Sequence, residues 1–539
     1  MKFITRTQHI FTFFVSLFLY GVPLTAEAVD QEKILGDLSS YIEATKQTWN
    51  VPGISVGIIM NGKVVFMKGF GVRKWGKAET VDEQTVFQIA SMSKNMLAHL
   101  MAKLVEEKII AFDDLVTKYL PQFALSSKDV TDTFTIKDLI SHNSGLPGFS
   151  GDTLWTLGMD ESYIIDKLKE IPLKHSFREH YGYQNQIYGL ASRVAEITTG
   201  KAVEELYQKY FFKPLGMKSA NTTFESVSPD GNLFSFLNSK KNPLNIAHPH
   251  DLYQGSPRVL PFSKLNYLFA GSTGVSLSVE DALKWMMMMI NKGEVNNIRV
   301  LQEQSIDILR TPNVEKKVSP SHSDSQFPHQ RFQKVQYGMG HFISRYGTGG
   351  KSLQIFSHMG GFHGVRSLVT ICPDHKLGIV VLTNLGSTRV SFAPEVITNK
   401  FLDLYLGLND INWNTKIKAD FDFIKAENRR YKLKERLQNP SPHLSLNEYE
   451  GTYLNSFYGP CVIQKKENKL VLTIARKSVE LSHFNGNQFF FEGHKISNSF
   501  CENSNGYVYF GTTNQKDINI LQIYPLLHEG KQEGLFQKE

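Results

Sequence analysis

Phe87-Gln88-Ile89-Ala90-Ser91-Met92-Ser93-Lys94 passes from a strand-like run at 86–89 toward a helical run over 95–108. On a helix, positions i and i+3 share a face, so the Lys94 amine reaches the Ser91 hydroxyl within one turn. Three effects then cooperate. The amino end of the helix favours negative charge, its N–H groups stabilise an oxyanion, and burial lowers a lysine pKa toward a useful base. Serine and lysine are common, so this spacing alone carries little information; its meaning comes from the rest of the chain.

Upstream, 37–49 reads as an amphipathic helix, followed by strands at 54–60 and 63–70 that Asn61-Gly62 joins as a tight hairpin. Downstream lies a mostly helical middle, punctuated by Gly145-Leu146-Pro147-Gly148. Strand-like runs return at 352–357, 365–372 and 377–384, and a helix at 395–406 closes the unit. Strands at both ends with helices between predict an α+β fold: an antiparallel sheet flanked by helices, with a mostly helical subdomain. Gly53-Ile54-Ser55-Val56-Gly57 fits a nucleophile-elbow pattern, but that motif needs a strand, a sharp turn and a helix. Ser55 instead sits inside a continuing strand.

Two more short stretches offer chemistry. Tyr183-Gln184-Asn185 opens a helical run at 186–199 that Gly200 ends; the phenol can pass a proton and the amide can hold a lysine and a substrate. His358-Met359-Gly360-Gly361 stands just ahead of the strand at 365–372. A histidine there can orient a substrate, and paired glycines let backbone N–H groups approach a carbonyl. Similar patterns recur at Tyr453-Leu454-Asn455, His180-Tyr181-Gly182 and His528-Glu529-Gly530, so neither stretch means much alone.

The 539 residues divide into more than one unit. Residues 1–28 read as a signal peptide: Lys2 and Arg6 precede an apolar run at 10–22, and Ala26-Glu27-Ala28 offers a cleavage site. The expected product is exported, periplasmic or secreted, with no stable transmembrane segment. Residues 29–406 form the α+β unit. Residues 407–445 form a linker whose stretch 416–436 carries eight Lys or Arg against four acidic residues, with Ile417, Phe421 and Ile424 at helical spacing. Pro440-Ser441-Pro442 marks the next boundary, and 446–539 alternates in short runs that predict a small antiparallel barrel or sandwich. Cys461 and Cys501 share this last unit and are candidates to pair, whereas Cys372 reads as a small core residue. Residues 285–290, with four consecutive methionines, read as a buried helix.

Taken together, Ser-x-x-Lys, Tyr-x-Asn and His-x-Gly resemble the motif series of class C β-lactamases, D,D-peptidases, D-aminopeptidases and related esterases. The segment 87–94, Leu139-Ile140-Ser141-His142-Asn143-Ser144-Gly145-Leu146-Pro147, and Ala270-Gly271-Ser272-Thr273-Gly274 ahead of Ser278-Val279-Glu280-Asp281 are similar to that family's text. The tail resembles the lipocalin-like β-barrel that follows the catalytic domain in some members. The resemblance implies that Ser91 attacks a carbonyl to give an acyl-enzyme, that Lys94 and Tyr183 relay the proton, and that Asn185 positions lysine and substrate. His358 and Gly360 would orient substrate, and the N–H groups of Ser91 and Gly361 would form the oxyanion hole. His358 stands where β-lactamases of this class carry lysine. Imidazole is mostly neutral at pH 7, which disfavours carboxylate-bearing β-lactams and favours peptidase or esterase chemistry.

The 41% hydrophobic and 21% charged composition is that of a globular protein. The 17 histidines are scattered, without His-Glu-x-x-His or paired cysteines, so neither a metal nor another cofactor is expected. The expected partner is a small peptide, ester or β-lactam, with peptidoglycan and oligomers allowed and nucleic acid not expected. The rival readings are a β-lactamase and a penicillin- or peptidoglycan-binding sensor that does not turn over.

Overall fold

The computed structural model describes residues 30–228, 244–318, 326–386, 391–433, 440, 444–492, 505–512, 517–524, 526 and 534–539. Residues 1–28, expected from the sequence to be a signal peptide, and Cys501 and His528 lie outside the described residues. Asp30 caps the first helix, α1 (Gln31–Thr48), by accepting the Lys33 N–H at 3.0 Å. The hairpin β1 (Gly53–Met60) and β2 (Lys63–Gly71) turns at Asn61 and Gly62, whose φ of 52° and 72° are the left-handed pair such a turn requires. The helices α2 (Ser93–Glu106), α3 (Asp152–Thr156), α4 (Gln186–Thr199) and α5 (Val279–Ile290) follow. The remaining strands of this unit are β3 (Val314–Lys316), β4 (Phe332–Tyr337), β5 (Phe342–Thr348), β6 (Lys351–Phe362), β7 (Val365–Cys372) and β8 (Leu377–Thr383). α6 (Ala393–Leu406) then leads to α7 (Trp413–Leu433).

These strands form one eight-stranded sheet in the order β2-β1-β8-β7-β6-β5-β4-β3, antiparallel at every pairing. The centre, β1, β7 and β8, is buried on both faces, as its Val- and Ile-rich text requires. On one face α1 and α6 bury Leu38, Ile42, Val396 and Ile397 against Ile54, Val56, Ile379 and Val381. On the other face α5 lies close: a Cβ on Gly57 would stand 2.8 Å from Leu283, and one on Gly378 would stand 2.6 Å from Met286. Small residues on the sheet thus let the helix approach. The methionine-rich run is part of this packing, with Met286, Met288 and Met289 buried. Ser55 is buried inside β1, which runs on into the hairpin with β2 and not into a helix, so it is no nucleophile elbow.

The tail is a closed barrel of eight antiparallel strands: β9 (Gly451–Asn455), β10 (Gly459–Lys466), β11 (Lys469–Ile474), β12 (Lys477–Asn485), β13 (Gln488–Glu492), β14 (Asn505–Gly511), β15 (Ile520–Tyr524) and β16 (Leu535–Lys538). Each strand pairs with the next, and β16 closes on β9. Alternation of period two sends Leu470, Leu472 and Ile474 of β11 inward. Tyr453 and Asn455 belong to this barrel, so the second Tyr-x-Asn pattern is structural. Cys372 is buried in β7, as expected of a core residue, and Cys461 is buried in β10. The barrel touches the larger unit where Tyr163 Oη donates to Phe457 O at 2.9 Å and Arg476 pairs with Asp160 at 2.9 Å. No helix among the described residues is long and apolar enough to cross a membrane.

Two features of the sheet go beyond the sequence reading. His358-Met359-Gly360-Gly361 does stand just ahead of β7, and it also lies inside β6, because both glycines pair in register with Ser367 and Arg366 of β7. The strands β3, β4, β12 and β16 carry too many exposed polar residues, or are too short, to stand out by periodicity, and β5, though mostly buried, does not stand out either. They are recovered only by pairing with neighbours.

Candidate active site

A two-residue strand, Phe87–Gln88, pairs with Ser276–Leu277 and delivers the chain to Ile89. The Ile89 carbonyl accepts the Ser367 hydroxyl at 2.7 Å, which ties this turn to β7. Ala90 then takes a φ of 47°, left-handed for a residue with a side chain. A single tight turn, Ala90–Met92, presents Ser91 at the partly accessible start of α2.

One turn later Lys94 is fully buried. Its ammonium nitrogen lies 3.1 Å from Ser91 Oγ, 2.8 Å from Asn185 Oδ1 and 3.4 Å from the Ser272 carbonyl. The rings of Tyr183 and Tyr188 flank it at 5.1 and 5.6 Å. Burial pushes its pKa down to about 7, against the opposing pull of Asp152. A lysine held there is in large part a free amine at neutral pH, hydrogen-bonded to the serine it would deprotonate.

Tyr183 is brought to the same place by the segment 142–149. Gly182 N donates to His142 O at 2.9 Å, Phe149 N to Tyr183 O at 2.6 Å, and Gln184 N to His142 Nδ1 at 3.1 Å. The Tyr183 hydroxyl hydrogen-bonds Ser91, and burial raises its pKa, so the phenol stays protonated at neutral pH. Asn185, at the mouth of α4, completes the group. Ser91, Lys94, Tyr183 and Asn185, drawn from two distant stretches, therefore share one site.

His358 lies nearby but is not joined to Ser91 by a hydrogen bond. It is 0% exposed; its Nδ1 is 2.8 Å from Met359 O and its Nε2 is 3.2 Å from Tyr337 Oη. Burial and the positive charge of Lys94 push its pKa down to about 3, so it is neutral throughout the physiological range. With both nitrogens engaged and no accessible surface, it supports the wall of the site more than it contacts a substrate. Gly360 has a different role. A Cβ there would stand 2.0 Å from Ile89 O, 2.5 Å from Ser367 Oγ and 3.0 Å from Met92 N, so only glycine lets β6 approach the nucleophile turn. Gly361 follows it in β6, opposite Arg366.

Gly360→Ala is accordingly expected to displace the Ser91 turn, costing about 1–3 kcal/mol of stability and roughly 10²-fold in acylation rate through misplacement of the nucleophile. Thermal unfolding and burst kinetics check this; wild-type values in both would show that the approach is not needed.

Sequence reading missed three participants. Asp152 is buried and accepts Asn185 Nδ2 at 2.7 Å; it belongs to no local motif. Tyr188 donates to Lys94 O at 2.9 Å, and its helical spacing from Asn185 gave the only hint. Tyr337, from β4, is placed solely by sheet pairing. Of the near copies of the motifs, His180 is exposed and stacks on His175, away from Lys94 and Ser91 in its contacts. No group of three or more His, Cys, Asp or Glu arranged to hold a metal occurs among the described residues.

The chain belongs to the Beta-lactamase family, whose model matches residues 38–397. Residues 435–537 match a second model, a domain of unknown function (DUF3471). Similar curated proteins include protein flp of Staphylococcus aureus strain MW2, 26% identical over 368 residues covering 68% of this chain and 66% of flp. Unguisins hydrolase ungD of Aspergillus violaceofuscus is 23% identical over 466 residues, 82% of this chain and 79% of that protein. Among solved structures, the octameric penicillin-binding protein homologue from Pyrococcus abyssi superposes with a TM-score of 0.57 at 21% identity, covering 93% of this chain and 100% of its own. SurE superposes with a TM-score of 0.53 at 17% identity, covering 94% and 100%.

Proposed function

We propose that the protein is a serine hydrolase that works through an acyl-enzyme on amide or ester bonds, with D-amino-acid or cell-wall peptides and carboxylic esters as its substrate classes. The observation that carries this reading is the buried Lys94 nitrogen, 3.1 Å from Ser91 Oγ, with a pKa lowered to about 7. In the first half-reaction Ser91 Oγ bonds to the substrate carbonyl carbon while its proton moves to Lys94. The carbonyl electrons collect on oxygen, received by the N–H groups of Ser91 and Gly361. Collapse breaks the bond to the leaving group, which takes a proton relayed through Tyr183; water then repeats the sequence to release the acid.

The substrate class rests on His358. A neutral, enclosed imidazole in the place of a lysine supplies no cation for a carboxylate, which supports peptides and esters over β-lactams. The neighbour SurE has been solved with D-Leu, which agrees with a D-amino-acid substrate, and ungD is named as a hydrolase. The Ala26-Glu27-Ala28 site supports export to the periplasm or the medium. An assembly is in keeping with the octameric relative.

The test pairs turnover of D-amino-acid peptides, short-chain esters and a chromogenic cephalosporin with intact mass. Because the neutral amine is the reactive form, kcat/KM should rise tenfold per pH unit below about 7 and level off above it. His358 adds no limb between pH 5 and 8, being uncharged well below that range. Absence of turnover on every ester and peptide, with a persistent penicillin adduct, would favour the binding-protein reading.

A further inference from the structure

Asn185 is held by both arms of its amide. Oδ1 accepts from Lys94 at 2.8 Å while Nδ2 donates to Asp152 Oδ2 at 2.7 Å. When ionised, the Asp152 carboxylate only accepts, so in that state it decides which arm of the amide turns toward the lysine. Reversed, the amide would aim N–H at an amine and remove the acceptor that keeps Nζ pointed at Ser91. Asp152 is 3% exposed, at the start of α3, and has no counter-ion at contact distance among the described residues. Such a carboxyl is costly to bury, and burial pushes its pKa up to about 7. The molecule bears that cost one hydrogen bond away from Lys94.

We propose that Asp152 is a positioning residue of the acylation site, which orients the Asn185 amide and supplies the counter-charge for the lysine ammonium that forms when Ser91 is deprotonated. In that step the proton passes from Ser91 Oγ to Lys94 Nζ as the Oγ–carbon bond forms, and it leaves again with the departing group. Asp152 itself neither gains nor loses a bond. The charged or titratable groups acting on it are Lys94 from α2 and Tyr183 from the segment before α4; Asn185 and Gln186 are its neutral polar neighbours. His142 and His358 also face Lys94, and burial holds both uncharged. The negative charge of Asp152 raises the lysine pKa, so its removal must lower that pKa.

The inference rests on the serine-hydrolase reading but is tested without it. In Asp152→Asn the new Oδ1 still accepts from Asn185, so the geometry survives and only the charge is lost. Lysine side chains labelled with ¹³C, with Lys94 assigned through Lys94→Arg, report its titration by NMR. The expected result is a Lys94 midpoint lowered by about one pH unit and a melting temperature at or above wild type, because a buried charge has gone. The acid limb of kcat/KM should move down with it, and Asp152→Ala, which also frees the amide, should lower the plateau about tenfold more than Asp152→Asn. A residue that merely starts α3 would leave the midpoint in place. An unmoved Lys94 midpoint in Asp152→Asn overturns the proposal whether or not the wild type turns over; turnover by the wild type decides the hydrolase reading separately.

Discussion

Ser91→Ala is expected to lower turnover by at least about 10⁴-fold and to abolish the covalent adduct seen by intact mass, while the protein remains folded. The hydroxyl accepts from Lys94 and meets Tyr183, and it packs against little else. Without it, Lys94 keeps Asn185 Oδ1 and the Ser272 carbonyl, so the buried ammonium stays satisfied and only the Tyr183 hydroxyl loses a partner. The melting temperature should therefore stay within a few degrees of wild type. Retained turnover in a folded variant would falsify the choice of nucleophile.

Lys94→Met is expected to cost roughly 10³-fold in the acylation rate, because the volume is kept while the base is lost. The pH profile should change with it. The limb near pH 7 disappears, since no amine remains to titrate, and the residual rate follows only hydroxide and the phenol. Stability should fall modestly, by about 1–3 kcal/mol, as Asn185 Oδ1 and the Ser272 carbonyl lose their donor. A rate and limb like those of wild type would mean that another group takes the serine proton.

Much of this site was legible because its parts are local. Ser91 and Lys94 are linked by helical spacing, and Asn185 stands just before a helix that runs over Gln186–Thr199 and ends at Gly200, with a φ of 66°. The hairpin at Asn61-Gly62 likewise follows from two adjacent residues. His358 shows where such reading stops. Its text is that of a substrate-facing loop, yet both glycines after it are paired in β6, and the imidazole is enclosed against Tyr337. Gly360 was expected to help a substrate approach; its contacts with Ile89 and Met92 make it instead the gap through which the nucleophile turn fits. Asp152 was invisible because a single carboxyl in a polar stretch has no periodic signature, and its importance lies in a partner 33 positions away.

By itself the sequence determined most of the elements and many of the residues able to do chemistry: a serine ahead of a helix, an amine one turn on, a phenol and an amide at a second helix, and a β-rich tail. Those are properties of spacing, turn chemistry and hydrophobic period, all set within a few residues. Only the tertiary structure decided the protonation states and the distances. Sheet pairing sets β6 and β7 behind Ile89, and packing excludes water from Lys94, Asp152 and His358. That exclusion is what makes one an available base, one a costly counter-charge and one a neutral wall, because the price of a charge depends on all that surrounds it and not on its neighbours in the chain.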